Sequence, residues 1–120
     1  MPEVIVVGKD WQTRALLRAQ LIEEGLEVEA YETVSSALEN VAKSGVLPKL
    51  LIADLSRSDD LSAEVGQLAR WAKRIPTWII ASHTLIVGKD LKGRGFEVIL
   101  LRPVDLGELV EQIKQRLEGR

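Results

Sequence analysis

Short unbroken apolar runs alternate along the chain with longer stretches in which apolar residues recur at helical spacing. Val4-Ile5-Val6-Val7 and Leu50-Leu51-Ile52-Ala53 have no polar positions. A strand wetted on one face alternates polar with apolar side chains, so both runs predict strands buried on both faces. Thr77 to Ala81 and Glu97 to Leu101 predict two more strands, and three of the five read as fully buried. Leu26, Val28 and Ala30 do alternate, with Glu27, Glu29 and Tyr31, which predicts a half-exposed strand at an outer position.

Between these runs the period changes to that of a helix. Asp10 is placed to cap a helix from Trp11 to Glu24, with Leu17 and Leu21 four apart and Gly25 at its end. Thr33 caps a second helix, in which Val34, Ala37, Leu38, Val41 and Ala42 form one apolar stripe before Lys43-Ser44-Gly45. Leu61, Val65, Leu68, Ala69 and Ala72 mark a third, weakened at Gly66 by about 1 kcal/mol relative to alanine. Leu106, Leu109, Val110, Ile113 and Leu117 mark a closing helix after the Arg102-Pro103 turn. From Ser82 to Gly95 the pattern is poor and supports at most a short or irregular helix.

Strand and helix thus alternate five times. This order predicts an α/β fold: a doubly wound five-stranded parallel sheet in three layers, with helices on both faces. The strand order 2-1-3-4-5 puts the half-exposed second strand at an edge. Residues 1–120 are the length of one domain, without linkers or low-complexity tracts. The tetrapeptide Val-Gly-Lys-Asp occurs at Val7–Asp10 and Val87–Asp90, but its flanks do not match.

Composition narrows the classes further. With 46% hydrophobic and 28% charged residues the chain reads as soluble and globular, and no apolar run approaches the roughly 20 residues of a membrane span. The amino terminus lacks the pattern of a signal peptide, so a cytoplasmic, bacterial setting is expected. The absence of cysteine excludes disulfides, thiol catalysis and thiolate metal sites. A net charge of −2 supplies no bulk field for nucleic acid.

Asp54 is the leading candidate for chemistry. It ends a buried strand, and in open parallel sheets ligands sit in the crevice outside the carboxyl ends of the strands. The Gly8-Lys9-Asp10 turn lacks the spacing of a phosphate-binding P-loop. Ser35-Ser36 and Ser56 have no recognisable base, so nucleophilic catalysis has no support. His83, the single histidine, falls in a loop position, Trp71 and Trp78 read as packing residues, and Trp11 reads as partly exposed beside the Asp54 edge.

The element order, the spacing from Val6-Val7 through Asp54 to Arg102-Pro103, and the helix after Val104-Asp105-Leu106 resemble the receiver domains of bacterial two-component response regulators. The resemblance covers essentially the whole chain. It implies a flavodoxin-like fold and a third-strand aspartate that accepts a phosphoryl group from a histidine kinase, which is the position of Asp54. It also implies an acidic pair for Mg²⁺ after the first strand, where this chain has Gly8 and Lys9, with Asp10 one place later. Ala81 stands at the family's hydroxyl position, Arg102 replaces the lysine before Pro103, and Ile99 replaces an aromatic.

These departures imply a degenerate receiver, or pseudo-receiver, that performs no turnover. Two unit charges about 4 Å apart interact by roughly 4 kcal/mol at an effective dielectric near 20, before solvation costs. A lysine in the metal's place repels Mg²⁺ and attracts Asp54, so Lys9 and Arg102 are expected to form a metal-free ion-pair cluster around Asp54. The partner face implied by the resemblance lies on the family's fourth helix, fifth strand and fifth helix. Here that face carries Lys89, Lys92 and Arg94, then Glu108, Glu111, Gln112 and Gln115. The expected partner is a protein: a histidine kinase, an output domain, or a second copy. Under a phosphorelay alternative Asp54 is phosphorylated, with Mg²⁺ on Asp10 and Asp54. A second alternative is a small flavodoxin-like ligand binder, which would need a glycine-rich loop after the first strand.

Overall fold

A computed structural model of the chain describes residues 2–82 and 91–119. Its elements are β1 (Val4–Gly8), α1 (Trp11–Glu23), β2 (Val28–Tyr31), α2 (Val34–Ser44), β3 (Leu50–Asp54), α3 (Leu61–Trp71), β4 (Thr77–Ala81), β5 (Val98–Leu101) and α4 (Leu106–Gly119). The strands form one parallel sheet in the order β2-β1-β3-β4-β5, as the alternation predicts.

The unbroken apolar runs follow from helices on both sheet faces. Side chains alternate faces along a strand, so Ile5, Val7, Leu51, Ala53, Ile79 and Ala81 pack with Val34, Leu38 and Val41 of α2 and Val65 and Leu68 of α3. Val4, Val6, Leu50, Ile52, Trp78 and Ile80 pack on the other side with Leu17 and Leu21 of α1 and Leu109, Val110 and Ile113 of α4. Every position of β1, β3 and β4 is buried. β5 is as apolar as these three but lies at the sheet edge and is only half-buried, with Leu101 46% exposed. An apolar run records side-chain chemistry, and the neighbour that would cover its outer side has to come from elsewhere.

The helix boundaries follow local chemistry. The side chains of Asp10, Thr33 and Asp60 accept from the backbone N–H groups of Gln12, Ser36 and Ala63, each filling a donor left open at a helix start. Gly45 ends α2 at φ 72°, a left-handed conformation that glycine adopts without a Cβ penalty. The irregular stretch expected from Ser82 to Gly95 falls mostly on residues 83–90, outside the described residues, and His83 and Lys89 lie there. No helix among the described residues is long and apolar enough to cross a membrane.

One polar link joins β4, β5 and α4. The Trp78 indole donates to Glu97 at 2.8 Å, and Arg116 donates to both Glu97 oxygens at 2.8 and 2.9 Å. The Arg116 hydrogen bonds, opposed by partial burial and helped by Trp78, hold the Glu97 carboxyl below its usual range. A carboxyl with a depressed folded pKa stabilises above its unfolded value, near 4.3, and loses that contribution as pH falls through the folded one. Glu97→Gln is therefore expected to be less stable than wild type at pH 7, with the difference shrinking on acidification. Urea unfolding at a series of pH values measures it.

Candidate functional site

The site forms where β1 and β3 end side by side. Gly8 pairs in register with Asp54, and a Cβ at position 8 would lie 3.1 Å from the Asp54 Cβ, so glycine lets the two strand ends close on each other. Asp54 is 9% exposed. A carboxylate so covered needs its oxygens occupied. Oδ1 accepts from the Ser56 N–H at 3.1 Å and the Ser56 hydroxyl at 2.7 Å, a turn closed by the residue two places on.

Oδ2 accepts from the guanidinium of Arg102. Arg102 follows β5, its N–H donating to the Ala81 carbonyl at 3.0 Å, and precedes the cis-Pro103 bond. The same terminal nitrogen lies 3.5 Å from Asp10 Oδ2 and 3.3 Å from the Thr13 hydroxyl, and that hydroxyl donates to Asp10 Oδ2 at 3.0 Å. One cation thus joins the ends of β3 and β5 to the first turn of α1. The Asp54 hydrogen bond raises the Arg102 pKa despite partial burial, with the charges of Asp54 and Asp10 adding. At Asp10, burial pushes the carboxyl up, but hydrogen bonds from Thr13, the Arg57 charge and the Gln12 N–H together hold it below its usual range.

Lys9 does not belong to this cluster. Its ammonium pairs with Asp59 at 2.5 Å, and the hydrogen bond to Asp59, with Glu32 and Glu64 adding, raises its pKa against the effect of burial. The expected Lys9–Asp54 pair is therefore replaced by the Lys9–Asp59 pair, which the flexible four-carbon stem lets the ammonium reach. Thr13 and Ser56 were not expected as site residues. Thr13 falls one helical turn after Asp10, and Ser56 two residues after Asp54, the spacing of an Asx turn; those are the signals that could have found them. Ala81, buried at the end of β4, brings no side-chain chemistry.

The expected partner-face residues are spread over more than one surface. Lys92 and Arg94 are exposed next to the end of α3, where a Cβ at Gly95 would meet Ala72 at 3.7 Å. Glu108 lines a groove with Leu100, Leu101 and Pro103, and Glu111 lines another with Leu16, Glu23 and Glu24 of α1.

The residues around Asp54 do not suit Mg²⁺. The ion takes near-octahedral oxygen ligands and is held by net negative charge. Here two carboxylates share a tethered guanidinium, and no group of three or more His, Cys, Asp or Glu side chains among the described residues could hold a metal ion. The space between Asp54, Asp10, Thr13, Arg14 and Leu17 is about 10 Å³, comparable to a single water.

The chain was compared with known proteins. No family model matches it. A curated relative is the "Uncharacterized 14.6 kDa protein in sodA1 3'region" of Leptolyngbya boryana, 29% identical over 118 residues that cover 94% of this chain and 88% of that one. Among solved structures, a CheY-like response regulator receiver domain protein of Methanospirillum hungatei JF-1 matches at TM-score 0.80 and 19% identity, covering 99% of this chain and 95% of that one. The receiver domain of NtrX from Brucella abortus matches at 0.78 and 21%, covering 98% and 99%. The chain has the receiver fold. In an ADP-bound NtrX structure the same fold accounts for 27% of the longer chain.

Within this receiver fold, the Arg102 interaction has a measurable weight. Arg102→Met leaves Asp54 covered and without its cation, and is expected to cost about 1–3 kcal/mol, below the figure for a fully buried pair because Arg102 remains 31% exposed. Arg102→Lys should recover part of the loss, having the charge but not the planar fork. Urea unfolding followed by tryptophan fluorescence compares the three proteins.

Proposed function

We propose that the chain is an atypical receiver domain of two-component-type signal transduction that acts by protein–protein contact and performs no turnover. The observation that carries this reading is the shared guanidinium: Arg102 meets Asp54, Asp10 and Thr13 at once. Phosphoryl transfer onto a carboxylate needs an oxygen free for in-line attack and a centre that neutralises the transferring group. Both Asp54 oxygens are engaged, Oδ1 by Ser56 and Oδ2 by Arg102. The neutralising charge is already internal to the chain, with Gly8 and Lys9 where the receiver resemblance implies metal-binding acids.

The phosphorelay alternative draws on the convergence of Asp10 and Asp54. It needs Arg102 to leave both carboxylates before Mg²⁺ and a phosphoryl group can enter. The ligand-binder alternative needs a pocket at this crevice, and the space beside Asp54 among the described residues is too small for a flavin. The partner of the favoured reading is a histidine kinase, an output domain or a second copy of the chain.

Incubation with acetyl phosphate and Mg²⁺ tests the reading. Phosphate-affinity electrophoresis is expected to give one unshifted band for wild type and for Asp54→Asn, with no saturable change in the fluorescence of Trp11, which is 63% exposed beside the site. A slower wild-type band that Asp54→Asn abolishes would establish the phosphorelay instead.

A further inference from the structure

Between Glu64 and Glu97 the chain has six basic residues against one acidic residue, Asp90, although its net charge is −2. The fold gathers several of these cations, with a lysine from another segment, at one corner. α2 and α3 pack on the same face of the sheet, and Leu91 packs there too. Both helices end at the sheet edge where the strands begin, opposite Asp54. Lys43 in the last turn of α2, Arg70 in the last turn of α3, Lys73 and Arg74 just after it, and Lys92 in the turn before β5 therefore stand where that face meets the amino-terminal edge. All five are exposed. A Cβ at Gly95 would lie 3.7 Å from Ala72, which sets the β5 turn against the end of α3.

These cations differ from others of the chain in being unneutralised. Lys9, Lys49, Arg102, Lys114 and Arg116 are held in ion pairs, whereas among the described residues no ion pair holds Lys43, Arg70, Lys73, Arg74 or Lys92. The Arg74 guanidinium lies 4.2 Å from the centre of the Trp71 ring, which keeps its charge while holding the side chain at the surface. Glu39, which borders the α2–α3 groove with Arg70, offsets one of the five charges.

An apolar tip accompanies them. Leu47, in the loop between α2 and β3, is 43% exposed. The Leu51 N–H donates to the Pro76 carbonyl at 2.9 Å, so the start of β3 runs beside the chain that leaves α3. Glu23 and Glu24 end at the same edge but belong to α1, which packs through Leu17 and Leu21 on the opposite face. The negative charge of that edge is thereby kept on the far side of the sheet.

The geometry separates the anionic partners that such cations can take. Single-stranded nucleic acid is held on open aromatic faces, but Trp71 is packed against the core and carries Arg74 on its ring. A peptide segment is recognised in a groove or along a strand edge, whereas these side chains stand on helix ends and turns, a convex corner. An anionic lipid surface needs neither feature. It meets all five cations at once, takes their apolar stems at headgroup level and admits a leucine between them. We propose that this corner docks the domain peripherally on a membrane surface rich in anionic headgroups, through Lys43, Arg70, Lys73, Arg74 and Lys92, with Leu47 entering the apolar boundary. Docking there leaves the Asp54 cluster at the far edge in solution, so the proposal does not depend on the reading of that site.

Co-sedimentation of the whole chain with sucrose-loaded vesicles tests it. At about 0.1 M salt, where charges act over about 10 Å, the chain is expected to bind vesicles of phosphatidylcholine with about one-third phosphatidylglycerol and not those of phosphatidylcholine alone. At about 1 M salt the binding should fall at least tenfold. Lys73→Gln with Lys92→Gln removes two charges worth roughly fivefold each, so affinity should fall about 25-fold. Leu47→Ser should lower it about fivefold. Arg18→Gln, which takes a charge from the exposed side of α1 on the other face, should change it less than about twofold. A chain that leaves anionic vesicles unbound overturns the proposal. A Lys73 and Lys92 double variant that binds like wild type, or an Arg18→Gln variant that loses as much, overturns it equally. So does a short DNA duplex or poly-glutamate that strips the chain from the vesicles at equal concentration of negative charge, which would assign the corner to nucleic acid or to an acidic protein.

Discussion

A guanidinium on a covered carboxylate organises this molecule's carboxyl edge. Asp54 ends the central strand with little access to solvent, so its charge has to be met from within the fold. Arg102 meets it from the end of the outermost strand, and in doing so reaches across to the first turn of α1. Other local features serve that contact. Gly8 lets β1 close against Asp54, Ser56 occupies the second oxygen, and Thr13 orients Asp10 toward the same nitrogen. A divalent ion would exchange with solvent and respond to its concentration. A tethered arginine does neither, so the charge state of the pocket is set when the chain folds.

That difference bears on how a receiver fold can signal. A site that accepts a phosphoryl group changes its charge, and the change is read out by elements that can take two arrangements. Here β3, β5 and α1 are pinned to one another by a single cation, and its directional N–H groups favour one geometry. On the proposed reading, an input that leaves this cluster untouched arrives as a contact with another protein or another copy.

Much of the fold was legible in the chain because it depends on periodicity, which is local. The doubly covered strands and the caps at Asp10 and Thr33 follow from side-chain order along short segments. The half-buried state of β5 was not legible, since Val98 to Leu101 is as apolar as β3 and only the sheet's end distinguishes them. At the site, Asp54 and Arg102 could be paired because both stand at strand ends, whose lateral neighbours the strand order fixes. Lys9 was misassigned for a physical reason. Its ammonium sits on a flexible four-carbon stem and pairs with Asp59, which comes from a segment distant in sequence, with the charges of Glu32 and Glu64 adding.

The positive charge that a covered Asp54 needs could in principle come from either loop flanking the carboxylate, and the two sources differ in consequence. A lysine after β1 would tie Asp54 to its immediate neighbour and leave β5 free to move. An arginine after β5 ties the carboxylate to the far side of the sheet, across β4, and takes the edge strand and α1 with it. The Trp78–Glu97–Arg116 link holds the opposite end of β5 to β4 and α4. With both ends held, the half-buried edge strand has polar contacts at its two termini in addition to its backbone ladder with β4.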